Sequence, residues 1–101
     1  MSSKTIEIPQ EEMRKYEVLE REAEAACKDA AIHYAVLVGP NDQDPERDFE
    51  QFRDAVVRIK RCRRETEALL VQWSKTFCFE RRWLYGIDPK NSTVNVNLGP
   101  Y

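Results

Sequence analysis

Two long runs without proline or glycine, separated by the stretch GPNDQDPE, constrain this chain more than any other feature. The first run ends at Gly39-Pro40 and the second ends at Gly86. Because proline and glycine are the residues that most strongly interrupt a helix, each run can be helical throughout. We predict helices over residues 9–38 and 46–85, joined by a loop over residues 39–45.

Each predicted helix carries residues at alternating steps of three and four, which places them along one face. In the first helix this face is rich in alanine, which lets a second helix approach closely. It comprises Tyr16, Leu19, Ala23, Ala26, Ala30, His33 and Leu37. In the second helix it comprises Phe49, Phe52, Val56, Ile59, Arg63, Thr66, Leu70, Trp73, Phe77, Glu80 and Leu84. The two faces predict an antiparallel helical hairpin.

The ends of the two helices carry separate signals. Pro9 suits the first position of the first helix. Asp44 followed by Pro45 is typical of the start of the second helix, because the Asp44 carboxylate can accept a hydrogen bond from a backbone N–H of the first turn. Gly86 is typical of a left-handed helix cap. A second helix that continues to Tyr85 would be about 60 Å long at about 1.5 Å per residue. The first helix cannot cover that length, so we expect either a break near Trp73 or cover from another subunit.

Residues 87–101 form an extended tail in which apolar and polar residues alternate. Val94, Val96 and Leu98 would share one face of a strand. A lone strand cannot satisfy its own backbone groups, so the tail pairs with the N-terminal SKTIEI segment, a neighbouring subunit or another partner, or it frays. The resulting prediction is one all-α domain over residues 1–101, an oligomeric hairpin with a long second helix and a short strand-like tail.

Catalytic and cofactor signatures are missing from the sequence. The chain has one histidine, His33, and we interpret it as a structural residue on the inner face of the first helix. The three cysteines, Cys27, Cys62 and Cys78, lack the spacing of a zinc site and indicate free thiols. We therefore predict a protein that is not an enzyme, with no catalytic residues, no metal and no cofactor. Without a long apolar run or a signal-peptide pattern, we expect a cytoplasmic location and no membrane partner.

Charge is divided between the two halves of the chain. Residues 1–50 hold 6 Lys/Arg and 13 Asp/Glu, whereas residues 51–101 hold 10 Lys/Arg and 5 Asp/Glu. The basic half contains the cluster RIKRCRR, which can bind a polyanion. The candidate polyanion-binding residues are Arg58, Lys60, Arg61 and Arg64. The candidate acidic partner face is Glu17, Glu20 and Glu24, which could instead pair with these arginines inside the hairpin.

Arg63 stands apart from this basic cluster, because it falls on the predicted inner face of the second helix. A polar residue in such a seam often fixes the register of the helices or the number of subunits.

Aromatic residues are concentrated in WSKTFCFERRWLY, where helical spacing spreads them over two rows. A two-helix hairpin has one face to bury, so a second apolar row predicts a further contact surface. The alternative is that the tail folds back over Trp83. The candidate interface residues are Trp73, Phe77, Trp83, Val94 and Val96.

The stretch from Phe52 to Tyr101 resembles the C-terminal region of phage small terminase subunits and related phage DNA-packaging proteins. The resemblance rests on a long helix, a Tyr85-Gly86 stop and STVNVNLGPY. It implies a homo-oligomeric ring of helical hairpins whose C-terminal strands join across subunits, with DNA as a partner. The chain departs from the family in one respect, because no helix-turn-helix segment precedes the hairpin.

These observations favour a non-enzymatic phage or mobile-element binding protein that self-associates and engages a large macromolecular partner, either DNA during packaging or a host or phage protein complex. The alternative is an anti-defence inhibitor of the anti-CRISPR type, or a nucleotide sponge, which blocks a host complex through its charged surface.

Overall fold

The computed structural model describes residues 2–41 and 43–98. Its elements are β1 (Ser3–Glu7), α1 (Gln10–Leu37), α2 (Pro45–Thr76), a 3₁₀ turn (Arg81–Trp83), β2 (Leu84–Asp88) and β3 (Thr93–Asn97). The two helices form the predicted hairpin, and the three strands form an antiparallel sheet. The fold is mostly helical, as predicted, but it is not purely all-α, because a sheet accompanies the helices. Within the described residues, no helix has the length and apolarity needed to span a membrane.

The chain divides into two compact units. One unit, called here the sheet unit, comprises residues 1–18 and 66–101, and the other, the hairpin unit, comprises residues 19–65. The sheet unit contains all three strands together with the first turns of α1 and the last turns of α2. The hairpin unit contains the remaining turns of both helices and the loop between them.

The inner face of α1 was predicted correctly. Pro9 precedes the helix, and its carbonyl accepts hydrogen bonds from the backbone N–H groups of Glu12 and Met13, both at 3.0 Å. All seven residues predicted on this face are buried or half-buried. Ala26 is the most deeply placed, with none of its surface exposed.

α2 begins as its sequence indicated, and its inner face was predicted in part. The Asp44 carboxylate accepts a hydrogen bond from the Arg47 N–H at 3.2 Å, which caps the helix. Within α2 the predicted members Leu70 and Trp73 are buried, and Phe52, Val56, Ile59 and Thr66 are half-buried. The helix also buries Ala55 and Cys62, which are small residues that the predicted face had passed over, and it leaves the predicted members Phe49 and Arg63 exposed.

Of the two alternatives for the long second helix, the break near Trp73 is the observed one, because α2 ends at Thr76 instead of continuing to Tyr85. Cys78 adopts a left-handed backbone conformation with φ of 59°, and the Phe79 N–H donates to the Ser74 carbonyl at 2.9 Å. This arrangement is a Schellman-type end, in which glycine is the usual left-handed residue. The helix thus stops without the glycine that normally signals a stop in the sequence.

Gly86, predicted to cap the helix, lies within β2. The pairing of β2 with β3 is irregular between Leu84 and Gly86, which marks a bulge. A Cβ atom at Gly86 would lie 3.3 Å from the side-chain Nδ2 of Asn95 on the neighbouring strand. The absence of a side chain therefore lets the two strands approach at the bulge.

The tail supplies β3, the central strand of the sheet. The strand order is β1-β3-β2, with Ile6 opposite Val94 and Lys4 opposite Val96. Of the pairing partners considered for the tail, the N-terminal segment is therefore the observed one. The last three residues of the predicted tail, 99–101, lie outside the described residues.

The core of the sheet unit forms where one face of the sheet meets the ends of the two helices. Its buried residues are Ile8, Met13, Leu69, Leu70, Trp73, Val94 and Val96. Trp73 is completely covered, and its ring centroid lies 6.1 Å from that of Tyr16. A single aromatic residue of α2 thus fills the centre of this core.

Replacing Trp73 with alanine should lower the free energy of unfolding by about 3–5 kcal/mol, because it removes the largest fully buried side chain. Trp73→Phe should cost less, since the indole N–H has no acceptor among the described residues. Urea denaturation measures both changes. Tyr85→Ala is the control, because Tyr85 is 59% exposed, and it should shift stability by no more than about 0.5 kcal/mol. Equal costs for Trp73→Ala and Tyr85→Ala would contradict this description of the core.

The turn between β2 and β3 lowers the pKa of Asp88 below its ordinary value of 3.8, chiefly because the Asn91 side chain donates a hydrogen bond to its carboxylate. That bond is 2.7 Å long, and the backbone N–H groups of Lys90 and Asn91 donate to the other carboxylate oxygen. A lowered native pKa stabilises the fold above the unfolded pKa, and this contribution is lost as pH falls through the native pKa. NMR titration of Asp88 should therefore give a pKa below 3.8 that rises in Asn91→Ala. An unchanged titration in that variant would show that the turn does not act in this way.

Candidate partner-binding faces of the hairpin unit

The basic cluster of α2 is split by the structure into two groups that face different directions. Arg58 and Arg61 turn toward α1, where Arg58 donates to Asp29 at 3.0 Å and Arg61 pairs with Glu22. Both pairs are partly exposed, so solvent screens them, and each contributes little stability. Two of the four candidate polyanion-binding residues are thus already neutralised within the chain.

The remaining basic residues line an open groove on the outer side of α2. Lys60, Arg63 and Arg64 surround Val57, and together these four residues border a volume of about 490 Å³. Val57 is 57% exposed and forms the apolar floor. Among the described residues, none forms a salt bridge with the three basic side chains. The groove therefore offers three uncompensated positive charges around an apolar centre.

Arg63 was predicted to lie in the seam between the helices, and the structure corrects this. The buried residue at that level is its neighbour Cys62, which has no exposed surface. A small side chain in the seam lets the helices approach, while Arg63 projects into the outer groove. Arg63 is thus a site residue whose role the sequence pattern had misassigned.

The structure also differs from the prediction in which acidic residues of α1 pair with α2. The carboxylates that pair with α2 are Glu22 and Asp29, and neither belongs to the predicted set of Glu17, Glu20 and Glu24. Glu24 lies 3.5 Å from Lys28 on the same helix, and Glu20 is exposed. Glu17 belongs to the sheet unit and interacts within the chain. Glu20 and Glu24 therefore remain on the outer surface of α1.

The five predicted interface residues all lie in the sheet unit. Trp73, Val94 and Val96 are at most 1% exposed, so the chain's own side chains cover them and no second subunit is needed to bury them. Phe77 and Trp83 are half-buried, and the Arg82 guanidinium stacks over the Trp83 ring at 5.2 Å. The second helical row predicted through Phe79 and Trp83 does not form, because α2 ends at Thr76, before both residues.

A set of exposed apolar residues that was not predicted lies near the closed end of the hairpin unit. Its residues are Ile32, Tyr34, Val36, Val38 and Phe49, each between 42% and 64% exposed. The signal was present in the sequence as AAIHYAVLV, which holds far more apolar residues than one helix face can bury against a single neighbour. Helical spacing places Ile32 and Val36 on one side of α1 and Tyr34 on the opposite side, so these side chains are exposed on more than one face.

His33 and Asp48 connect the two helices beside these apolar residues. The His33 Nδ1 atom lies 3.1 Å from the Asp48 carboxylate, and both side chains are largely covered. Tyr34 and Phe52 pack next to them with ring centroids 5.9 Å apart. His33 thus holds α1 against α2, in agreement with its interpretation as a structural residue.

Comparison with protein-family models, with curated proteins and with solved structures returned no match. The candidate faces are therefore assigned from geometry and charge alone.

Arg58→Ala should lower the free energy of unfolding by about 0.2–1 kcal/mol at low salt, because it removes a half-exposed ion pair with Asp29. The loss should shrink at high salt, which screens such pairs. Lys60→Ala is the matched control and should have little effect at either salt concentration. Urea titrations of both variants at two ionic strengths measure the difference. An equal or larger loss for Lys60→Ala would contradict the division of the basic cluster.

Proposed function

We propose that this chain is a non-enzymatic binding protein of a phage or other mobile element, which engages an acidic protein surface through the outer groove of α2. The observation that carries the proposal is the groove of Lys60, Arg63 and Arg64 around Val57. Arginine and a central apolar contact are features of protein interfaces, with charged groups distributed around the rim. The phage setting rests on the resemblance of residues 52–101 to DNA-packaging proteins.

Two features favour an acidic protein over nucleic acid as the partner. The lining of the groove contains no aromatic residue on which a base could stack. Val57 at the centre of the groove is exposed and apolar, so an apolar side chain of a protein can cover it whereas a phosphate backbone cannot. An acidic helix with some apolar residues would instead satisfy both the positive rim and the apolar floor.

The test measures binding of two labelled probes by fluorescence anisotropy. One probe is an acidic amphipathic helical peptide, and the other is a short duplex DNA. Lys60→Glu/Arg64→Glu should weaken peptide binding at least about tenfold, which corresponds to about 1.4 kcal/mol, because it reverses the charge of the rim. The duplex should bind more weakly than the peptide at the same salt concentration.

Lys4→Glu/Lys15→Glu is the matched control, because it makes the same change in net charge at exposed positions of the sheet unit. It should leave peptide binding within about twofold of the wild type. Preferential binding of the duplex, with loss in the groove variant alone, would replace the acidic protein by nucleic acid as the partner. Equal effects of the two variants would overturn the groove as the binding site.

A further inference from the structure

We propose that the free edge of β1 is a docking site for an extended segment of another protein, which adds to the sheet as a fourth strand. The strand order β1-β3-β2 leaves β1 and β2 each with one unpaired side. The site belongs to the sheet unit and shares no residue with the α2 groove. It therefore takes a different kind of partner, because strand addition binds the backbone of an extended chain.

The pairing of β1 with β3 shows which backbone groups of β1 point outward. At one end the Leu98 N–H donates to the Ser2 carbonyl at 2.9 Å, and at the other the Ile8 N–H donates to the Ser92 carbonyl at 2.8 Å. Because residues of an antiparallel strand turn alternately toward and away from the neighbouring strand, the even-numbered residues from 2 to 8 bond to β3. The odd-numbered residues between them direct their N–H and C=O groups outward.

These outward groups form a row along the free edge, contributed by Ser3, Thr5 and Glu7. All three residues are exposed, and among the described residues no backbone group hydrogen-bonds to this row. The free edge of β2 is less regular, because its pairing with β3 shifts between Leu84 and Gly86. A bulge of this kind hinders the addition of a strand, so β1 is the edge suited to it.

The side chains of β1 restrict which strand can dock. Lys4 and Ile6 lie on the helix-facing side of the sheet, because the β3 residues opposite them are buried, whereas Glu7 lies on the other side. A lysine on an edge strand disfavours pairing with an apolar strand. The strand that matches this edge has an acidic residue opposite Lys4, an apolar residue opposite Ile6 and a basic residue opposite Glu7.

Apolar surface remains to be covered on the helix-facing side of this edge. A depression of about 210 Å³ adjoins β1, and its lining includes Lys4, Ile6, Phe79, Trp83 and Leu98. Ile6 and the two aromatic residues are half-buried, and Leu98 is 57% exposed. Because directly opposite side chains on one face of a sheet lie about 4.5–5.5 Å apart, an apolar residue opposite Ile6 would lie beside this depression.

The charges of β1 argue against a second copy of this chain as the occupant. Two β1 strands paired antiparallel about a twofold axis would keep the helices of both copies on one side of the joined sheet. Even-numbered residues would then oppose even-numbered ones, and odd-numbered residues odd-numbered ones. From residue 2 to residue 8, no even-numbered residue is acidic and no odd-numbered residue is basic, so neither Lys4 nor Glu7 would gain an opposite charge. A segment of a different protein complements this edge better.

The test uses a labelled peptide that contains Lys-Val-Thr-Glu-Thr. In antiparallel order this sequence sets lysine opposite Glu7, valine opposite Ile6 and glutamate opposite Lys4. Fluorescence anisotropy with the full chain should show saturable binding. Lys4→Glu should weaken it at least about fivefold, because like charges then oppose each other, and a peptide with lysine in place of its glutamate should restore it.

Lys15→Glu is the matched control, because it makes the same charge change at an exposed position of the sheet unit, and it should leave binding within about twofold of the wild type. A helical peptide cannot dock on this edge, because its backbone groups are already bonded to one another. Lys4→Glu should therefore affect the extended peptide and not the helical peptide that binds the α2 groove.

Methylation of single peptide nitrogens separates strand addition from simple charge attraction. The N–H of the central threonine would point toward Thr5, so methylating it should weaken binding at least about tenfold. The N–H of the valine would point away from β1, so methylating it should change binding by no more than about twofold. In the complex, amide hydrogen exchange at Thr5 and Glu7 should slow, because their N–H groups become hydrogen-bonded.

Circular dichroism establishes that each variant is folded before it is used. Absence of binding to the wild type overturns the proposal, and so does binding that is unchanged by Lys4→Glu or by methylation of the threonine. A wild-type dimer that the peptide dissociates in sedimentation velocity would make a second copy the occupant and would likewise overturn it.

Discussion

The sheet unit depends on the position of β3, which is hydrogen-bonded on both sides. Its antiparallel pairing with β1 joins the last strand of the chain to the first. Its antiparallel pairing with β2 forms the β-hairpin that follows the 3₁₀ turn. Ser92 strengthens the first junction, because its hydroxyl donates to the Ile8 carbonyl at 2.6 Å while the Ile8 N–H donates to the Ser92 carbonyl at 2.8 Å. With β3 in place, Val94 and Val96 can cover the core around Trp73. Without it, β1 and β2 would have no strand to pair with, and that core would lose one wall.

The hairpin unit, unlike the sheet unit, is built around small buried side chains. Its most deeply buried residues are Ala26, Ala55 and Cys62, which let two helices approach but contribute little apolar area each. Two helices can cover only one face of each other, so the larger apolar residues, Ile32 and Phe49 among them, remain on the outside. The close approach of the helices and the exposed apolar residues thus have the same cause, because small residues lie between the helices and larger apolar residues lie outside. A third element packed over those larger residues would contribute the apolar burial that the small ones do not supply.

The sequence predicted α1 closely because its signals agree with one another. A proline at the start, acidic residues in the first turn and a regular alanine-rich face all indicate the same helix, and the structure contains it. In α2 most of the larger apolar residues predicted for the inner face are covered, but the helix also buries Ala55 and Cys62, because close approach favours small side chains, and it leaves Phe49 exposed. A break near Trp73 was expected from the length of the helix, but the residue at which α2 ends was not signalled, because Cys78 adopts the left-handed conformation that glycine normally provides. Gly86 was then mistaken for the cap of a longer helix, and β2 was missed with it.

The same limits explain which parts of the candidate site were predictable. The density of basic residues in RIKRCRR marked the right helix, but charge density cannot show which side chains turn inward. Arg58 and Arg61 differ from Lys60 and Arg64 only in their angle around α2, and that angle depends on which face of the helix is buried. Once Cys62 rather than Arg63 is placed in the seam, Arg58 and Arg61 fall beside α1, and Lys60, Arg63 and Arg64 point outward. Most of the error in the site thus follows from the error in the inner face.

The division of charge between an acidic first half and a basic second half acquires a physical role in this arrangement. Within one copy, two carboxylates of α1 meet two arginines of α2, and these pairs set the level of one helix against the other. Charges of the same signs remain on the outer faces, Glu20 and Glu24 on α1 and Lys60 and Arg64 on α2. These outer charges are therefore separate from the pairs that align α1 with α2. Screened surface charges alone contribute little to binding, so the neighbouring apolar residues must supply most of the affinity while the charges select the orientation.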